Sequence, residues 1–177
     1  MILLVITMWI MNTEKPLILV DFNRDMQLTD WAVVDDVVMG GRSGGKFFIS
    51  GEGHAVFEGA VSLENNGGFS SVRYRIDPLS LEGYSKAVIR LKGDDKRYQF
   101  RIRSGEGDSH SYARYFETSG LWESVEIPLN EMFPTWRGMK LNIPNYPGKQ
   151  LSEIGFLISN KRAENFRLQI DYIQFQR

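Results

Sequence analysis

The chain has 177 residues, about one domain, and a net charge of -1 from 21 Lys plus Arg against 22 Asp plus Glu, which points away from nucleic acid, whose binders carry a basic excess. Cysteine is absent and histidine is limited to His54 and His110, which excludes disulfides, thiolate metal sites, a cysteine nucleophile and a three-histidine metal centre. Glycine at 17 residues and aromatics at 12% favour short strands joined by tight turns.

Met1 to Met11 is apolar and uncharged. A spanning helix takes about 20 apolar residues, so this run is too short for one. Its length fits a signal h-region, but no Lys or Arg precedes it and no small-residue cleavage motif follows. Residues 1–15 are read as an apolar extension with three alternatives open: a start displaced to Met8 or Met11, a peripheral anchor, or an export signal. Residues 16–177 are read as one β-sandwich domain.

Period-two alternation then recurs between clusters of turn residues, the pattern of an all-β, two-sheet antiparallel sandwich of about ten strands. Strands are expected at 17–22, 31–34, 47–49 and 54–61. Asn65-Asn66-Gly67-Gly68 reads as a tight reversal into a strand at 69–76, with Val72, Tyr74 and Ile76 on one face and Ser71, Arg73 and Arg75 on the other. Residues 78–83 read as a connection with one helical turn, and 87–91 as a strand buried on both faces. The clearest alternation is Tyr98, Phe100 and Ile102 against Arg97, Gln99, Arg101 and Arg103. Strands at 112–116 and 122–127, an irregular loop over 132–147, and strands at 154–158 and 166–175 complete the chain. In the last strand Phe166, Leu168 and Ile170 alternate while Ile173 and Phe175 take the opposite parity, which predicts a bulge at Asp171-Tyr172.

Two features carry candidate function. The stretch Asp35-Asp36-Val37-Val38-Met39-Gly40-Gly41-Arg42-Ser43 is glycine-rich enough for backbone amides to converge on an anion, but no P-loop spacing and no following helix support a phosphate site. A turn in which Asp35 or Asp36 caps backbone amides is the favoured reading. The candidate loop is Asp36, Met39, Gly40, Gly41, Arg42 and Ser43 with Asn66. The second feature is cationic: if the strands bearing Arg73, Arg75, Arg101 and Arg103 share a sheet, their outward faces merge with Gln99 into a surface suited to carboxylate, phosphate or hydroxyl-rich ligands. Arg114 and Tyr115, being neighbours on a strand, point opposite ways, so only one of them joins it. The alternative is a solvated face with ion pairs to Glu117 or Glu58. Trp31, Trp122 and Trp136 read as packed aromatics, the two histidines as structural or exposed, and a calcium site near Asp21 or Asp171 as a minor possibility.

The residues resemble a known family. Trp31 with Asp35-Asp36 through Ser43, Asn65 through Arg73, Leu91-Lys92-Gly93-Asp94, Trp122-x-x-Val125-x-Ile127-Pro128, Phe133-Pro134, Ile154 through Ile158 and Phe166 through Ile173 follow in fixed order the pattern of the complex I intermediate-associated protein 30 domain, of the galactose-binding-like superfamily. The resemblance spans about residues 17–176. It implies a jelly-roll sandwich, no cofactor and no catalysis, and a chaperone-like role holding subunits of a membrane redox complex, with a carbohydrate-binding module using Tyr115, Gln99 and Arg101 as the alternative. No long, basic, Ser-rich presequence precedes the domain and no dinucleotide fingerprint appears, so the expectation is a bacterial cytoplasmic protein with at most peripheral membrane contact.

Overall fold

The computed structural model describes residues 15–177; the readings made for Met1 to Met11 lie outside them. The alternating segments pair into two antiparallel sheets. The first sheet has the order β3 (Gly44–Ile49), β4 (Ala55–Val61), β13 (Glu164–Gln176), β6 (Lys86–Lys92) and β9 (Trp122–Pro128). β1 (Leu17–Asp21) pairs with the second half of β13, past the end of β4. The second sheet has the order β11 (Met139–Lys140), β10 (Phe133–Trp136), β8 (Ser111–Glu117), β7 (Arg97–Arg103), β12 (Gln150–Ile158), β5 (Ser70–Ser80) and β2 (Trp31–Asp35).

Each sheet turns its apolar parity inward, as a sandwich requires. Phe57, Leu168 and Ile89 from the first sheet and Tyr98, Phe100 and Phe156 from the second are all fully buried in one continuous core. Phe156 sits at the centre of the second sheet, with its ring 5.5 Å from Phe100 and 6.4 Å from Phe116. A second aromatic cluster closes one end, where Trp31 stacks on Tyr74 at 4.8 Å and meets Phe47 at 4.6 Å.

The expected bulge in β13 is present: the register against β6 shifts between Ile170 and Tyr172. The extra residue reverses the parity, so Phe166, Leu168, Ile170, Ile173 and Phe175 are all buried along one 13-residue strand.

Three local expectations are corrected. Asn65-Asn66-Gly67-Gly68 does not close a hairpin, because β4 and β5 lie in different sheets and the segment is a crossover. The positive φ angles fall on Asn65 (55°), Asn66 (60°) and Gly68 (137°), while Gly67 stays at -68°. Residues 78–80 are not helical; β5 runs through Ser80, and Pro78 is accommodated where its register with β12 slips between Leu151 and Glu153. The stretch 132–147 contains β10 and β11, a hairpin edge that its three prolines hid from periodicity.

Truncating the central ring tests this packing. Phe156→Ala is expected to cost about 3–5 kcal/mol in urea unfolding, whereas Phe48→Ala, partly exposed on β3, is expected to cost well under half of that.

Candidate functional site

The glycine-rich loop does gather backbone amides around an anion, and the anion is the protein's own Asp36. This carboxylate is fully buried. It accepts hydrogen bonds from the Ser43 amide (2.9 Å), the Gly68 amide (2.6 Å), the Phe69 amide (3.2 Å) and the Ser43 hydroxyl (2.5 Å). Burial pushes its pKa up; the Ser43 hydroxyl and then the amides of Gly68, Ser43 and Phe69 outweigh that and hold the carboxyl below its ordinary value. Gly41 and Gly67 are glycine because a Cβ at either would lie 2.3 Å and 2.6 Å from the Asp36 oxygens. Beside it Asp35 accepts from the Gly45 amide (2.9 Å) and the Ser70 hydroxyl (2.5 Å).

Asp36, Gly41 and Ser43 are therefore internal fastenings, and no free carboxylate remains in the loop for a ligand. What the loop presents outward is a 3-10 turn over Asp36–Met39 whose Val37, Val38 and Met39 are 60%, 74% and 62% exposed. Gly40, Arg42 and Asn66 are exposed around it, with Arg42 paired to Glu64 at 2.9 Å.

The arginines share a sheet face, because β5 and β7 both flank β12. The register sets two rows across the three strands. In one, Arg75 and Arg103 stand opposite Glu153 from either side; in the next, Arg73 and Arg101 stand opposite Gly155. Glu153 is buried and lies 3.6 Å from Arg75 and 3.9 Å from Arg103. Arg101 directs Nε and Nη2 at the Gln99 side-chain oxygen (2.9 and 2.8 Å). Burial first, and Arg73 next, push the Arg101 guanidinium down to about 10, with Tyr115 acting in the opposite sense. Arg73 is lowered as well, by burial first, with Glu153 opposing and Arg103 and Arg75 adding to it. Both remain cations at neutral pH, held at a cost in a partly dehydrated floor.

Of the adjacent pair on β8, Tyr115 joins this face and Arg114 does not. Tyr115 stands opposite Gln99, whereas Arg114 stands opposite the core residue Phe100 and pairs with Glu131 at 2.7 Å. Tyr115 stacks against Phe133 with centroids 5.8 Å apart, Arg97 covers the Tyr115 ring at 4.7 Å, and Lys140 lies 5.5 Å from the Phe133 ring. Between Gln99, Arg101, Tyr115, Phe133, Thr135 and Lys140 lies an open hollow of about 320 Å³.

Neither Glu117 nor Glu58 serves as counter-ion to these arginines; Glu153 does. It escapes sequence reasoning because the regular alternation starts only at Ile154: a register shift between Leu151 and Glu153 puts Leu151 in the core and interrupts the period just before it. Phe133 and Lys140 escaped with the β10–β11 hairpin.

The remaining candidates are structural. His54 Nδ1 lies 3.3 Å from Asp171, and its ring packs on Trp122 at 4.5 Å. Among the described residues no three of Asp, Glu and His gather into a set able to hold a metal ion. Trp31 and Trp122 pack as expected, whereas Trp136 is 39% exposed beneath Arg137.

The family profile of complex I intermediate-associated protein 30 matches residues 20–170. The mitochondrial protein of that name from Mus musculus is 24% identical over 185 residues, covering 90% of this chain and 56% of that protein. A probable counterpart from Caenorhabditis elegans is 26% identical over 102 residues, covering 51% of this chain and 28% of that protein. The chain thus spans about half the length of the mouse relative, and about a quarter of the nematode one aligns. Among solved structures, a family 11 carbohydrate-binding module of a Clostridium thermocellum cellulosomal cellulase superposes with TM-score 0.65 at 15% identity, covering 92% of this chain and 94% of that one. An agarase matches with TM-score 0.61 at 12% identity over 93% of this chain and 25% of its own. At such identities these likenesses establish the fold, a galactose-binding-like jelly-roll sandwich, and leave function to the residues.

The Asp36 network sets an acid limit on the fold. Its lowered pKa means that its contribution to stability is complete above the unfolded value of about 3.9 and is lost as pH falls through the folded value. Asp36→Asn is expected to cost about 2–4 kcal/mol at neutral pH, and to flatten the fall in melting temperature below about pH 4 measured by circular dichroism.

Proposed function

Because the chain belongs to the complex I intermediate-associated protein 30 family, we propose that it is a non-enzymatic assembly factor, holding a subunit of a membrane redox complex while that complex is put together. The observation that carries this reading is the Val37-Val38-Met39 tip. Three consecutive large apolar side chains stand in water on a turn whose base is fastened by four hydrogen bonds to a buried carboxylate. Surfaces of this kind mark contacts with other proteins. A rigid base also means that little conformational freedom is lost when a partner covers the tip. In this reading the protein works from the cytoplasmic side and touches the membrane at most peripherally, through its partner. Among the described residues no helix is long and apolar enough to cross a membrane.

Glycan binding is a second reading, favoured by the Tyr115–Phe133 pair, whose rings lie near Gln99 and Arg101 on the open face. Tyr115 is exposed and Phe133 half-buried beside it, and an aromatic plane of this kind offers the flat apolar surface on which a sugar ring packs.

Affinity capture from native membranes separates the two. The full chain is expected to retain subunits of one redox complex, and a Val38→Glu, Met39→Glu double variant to lose them at an unchanged melting temperature, since both positions are exposed. Recovery of no such subunit above background, together with a positive glycan array, removes the assembly reading in favour of the second.

A further inference from the structure

The second sheet ends, at the edge opposite β2, in the β10–β11 hairpin. Trp136 pairs with Met139 across it, and the residues between them, Arg137 and Gly138, take positive φ angles of 48° and 78°, the two-residue turn that suits twisted strands. Every residue from Trp136 to Lys140 is exposed, and so is Ile143, two positions beyond Leu141, whose amide donates to the Pro134 carbonyl at 3.0 Å. Directly opposed residues share a face, so Trp136 and Met139 form one apolar knob, while Thr135 and Lys140 are the pair on the other face, beside the hollow.

Charge sets this knob apart from an ordinary apolar contact. Between Glu131 and Glu153 the chain carries Arg137, Lys140 and Lys149 and no acid. Among the described residues neither Arg137 nor Lys140 stands in an ion pair: the Arg137 guanidinium covers the Trp136 ring at 4.7 Å, and the Lys140 ammonium lies 5.5 Å from the Phe133 ring. Asp108, in the neighbouring β7–β8 loop, accepts instead from the Gly105 amide at 2.9 Å. An indole, a thioether chain and two unpaired cations at one level match the boundary of a bilayer, where the indole sits among head groups, apolar chains enter the acyl edge and cations meet phosphates. We propose that the β10–β11 hairpin rests on an anionic bilayer surface, with Trp136 and Met139 in the interface and Arg137 and Lys140 against lipid phosphates. Charge complementarity selects anionic lipid. A second protein is the poorer occupant, since a standard interface takes roughly 20–30 residues a side and this convex turn offers five consecutive exposed ones. The proposal goes beyond the assembly reading, in which the partner alone brings the chain to the membrane, and the two are compatible in space. The Val37-Val38-Met39 turn follows β2 at the far edge of the same sheet, six strand spacings or about 29 Å away. One edge holds lipid while the other holds a subunit.

The test sediments the full chain with vesicles, comparing phosphatidylcholine alone with phosphatidylcholine containing phosphatidylglycerol. Binding to the anionic vesicles is expected, with weaker binding to the neutral ones and release as salt rises. Trp136→Ser with Met139→Ser, and separately Arg137→Gln with Lys140→Gln, are each expected to weaken it about tenfold. Melting temperatures are expected to hold in both, because all four side chains are exposed. The chain lacks cysteine, so a single introduced thiol reports its own surroundings. A nitrobenzoxadiazole label on the Met139→Cys variant is expected to brighten and shift to the blue with anionic vesicles. The same label on Ala32→Cys, exposed on β2 at the far edge, is expected to stay unchanged. Absence of sedimentation with anionic vesicles, equal sedimentation with neutral ones, or undiminished binding in either double variant overturns the proposal. A silent label at Met139→Cys, whatever the sedimentation, also overturns it and assigns any lipid contact to another part of the chain. The assembly reading is tested apart from this: loss of subunit capture with vesicle binding and label response intact removes that reading and leaves the lipid contact standing.

Discussion

A single buried charge ties the molecule together where its two sheets exchange chain. Asp36 follows β2, Ser43 precedes β3, and Gly68 and Phe69 lead into β5, so one carboxylate ties the end of β2 to the starts of β3 and β5. Withdrawing a carboxylate from water costs several kcal/mol unless donors replace the lost solvent, and four donors do so here. The requirement runs in both directions. The glycines at 41 and 67 leave room for the oxygens, and the αL conformation of Asn65 and Asn66 turns the crossover so that its amides face them. The same knot pushes Val37, Val38 and Met39 outward, so the most exposed apolar turn rests on the most constrained polar group.

The second sheet divides its two faces by parity alone. Tyr98, Phe100 and Ile102 point into the core, and the residues between them carry Gln99 and Arg101 to the outside, with Arg103 beside them. Since β12 lies between β5 and β7, cations that are about 28 residues apart in sequence become neighbours across one strand. Between one pair β12 sets the carboxylate of Glu153; between the other it sets Gly155, where the backbone and the Arg73 side chain approach closely.

Much of this was legible in the chain because period-two alternation reports parity directly. The inward and outward sets of β5 and β7, the all-β class and the bulge in β13 all follow from which residues are apolar at which spacing. Pairing is another matter. Nothing in Asn65-Asn66-Gly67-Gly68 distinguishes a hairpin from a crossover, since both need residues tolerant of positive φ, and only the partners of β4 and β5 decide it. Short edge strands are equally silent: β10 contains Pro134 and β11 has two residues, so neither offers a period to detect. The counter-ion Glu153 was hidden for a third reason, because Gln150 and Ser152 mask the start of β12 as a polar loop. The arginine face was therefore visible as a list of cations but not as two rows with different centres.

The fold itself is shared with a family 11 carbohydrate-binding module. A sandwich supplies a stiff floor on which outward side chains can be exchanged without disturbing the core, because the inward parity carries the packing. A neutral sugar chain calls for aromatic planes and hydroxyl partners, whose desolvation is mild. Two half-buried arginines are a different choice, since burial has already taken part of their hydration. Tyr115 and Phe133 do not alter that balance, because Arg97 and Lys140 already lie against their rings and extend the cationic field across the aromatic end of the hollow. The outward face of the second sheet is thus rich in cations, with Glu153 the carboxylate set among them.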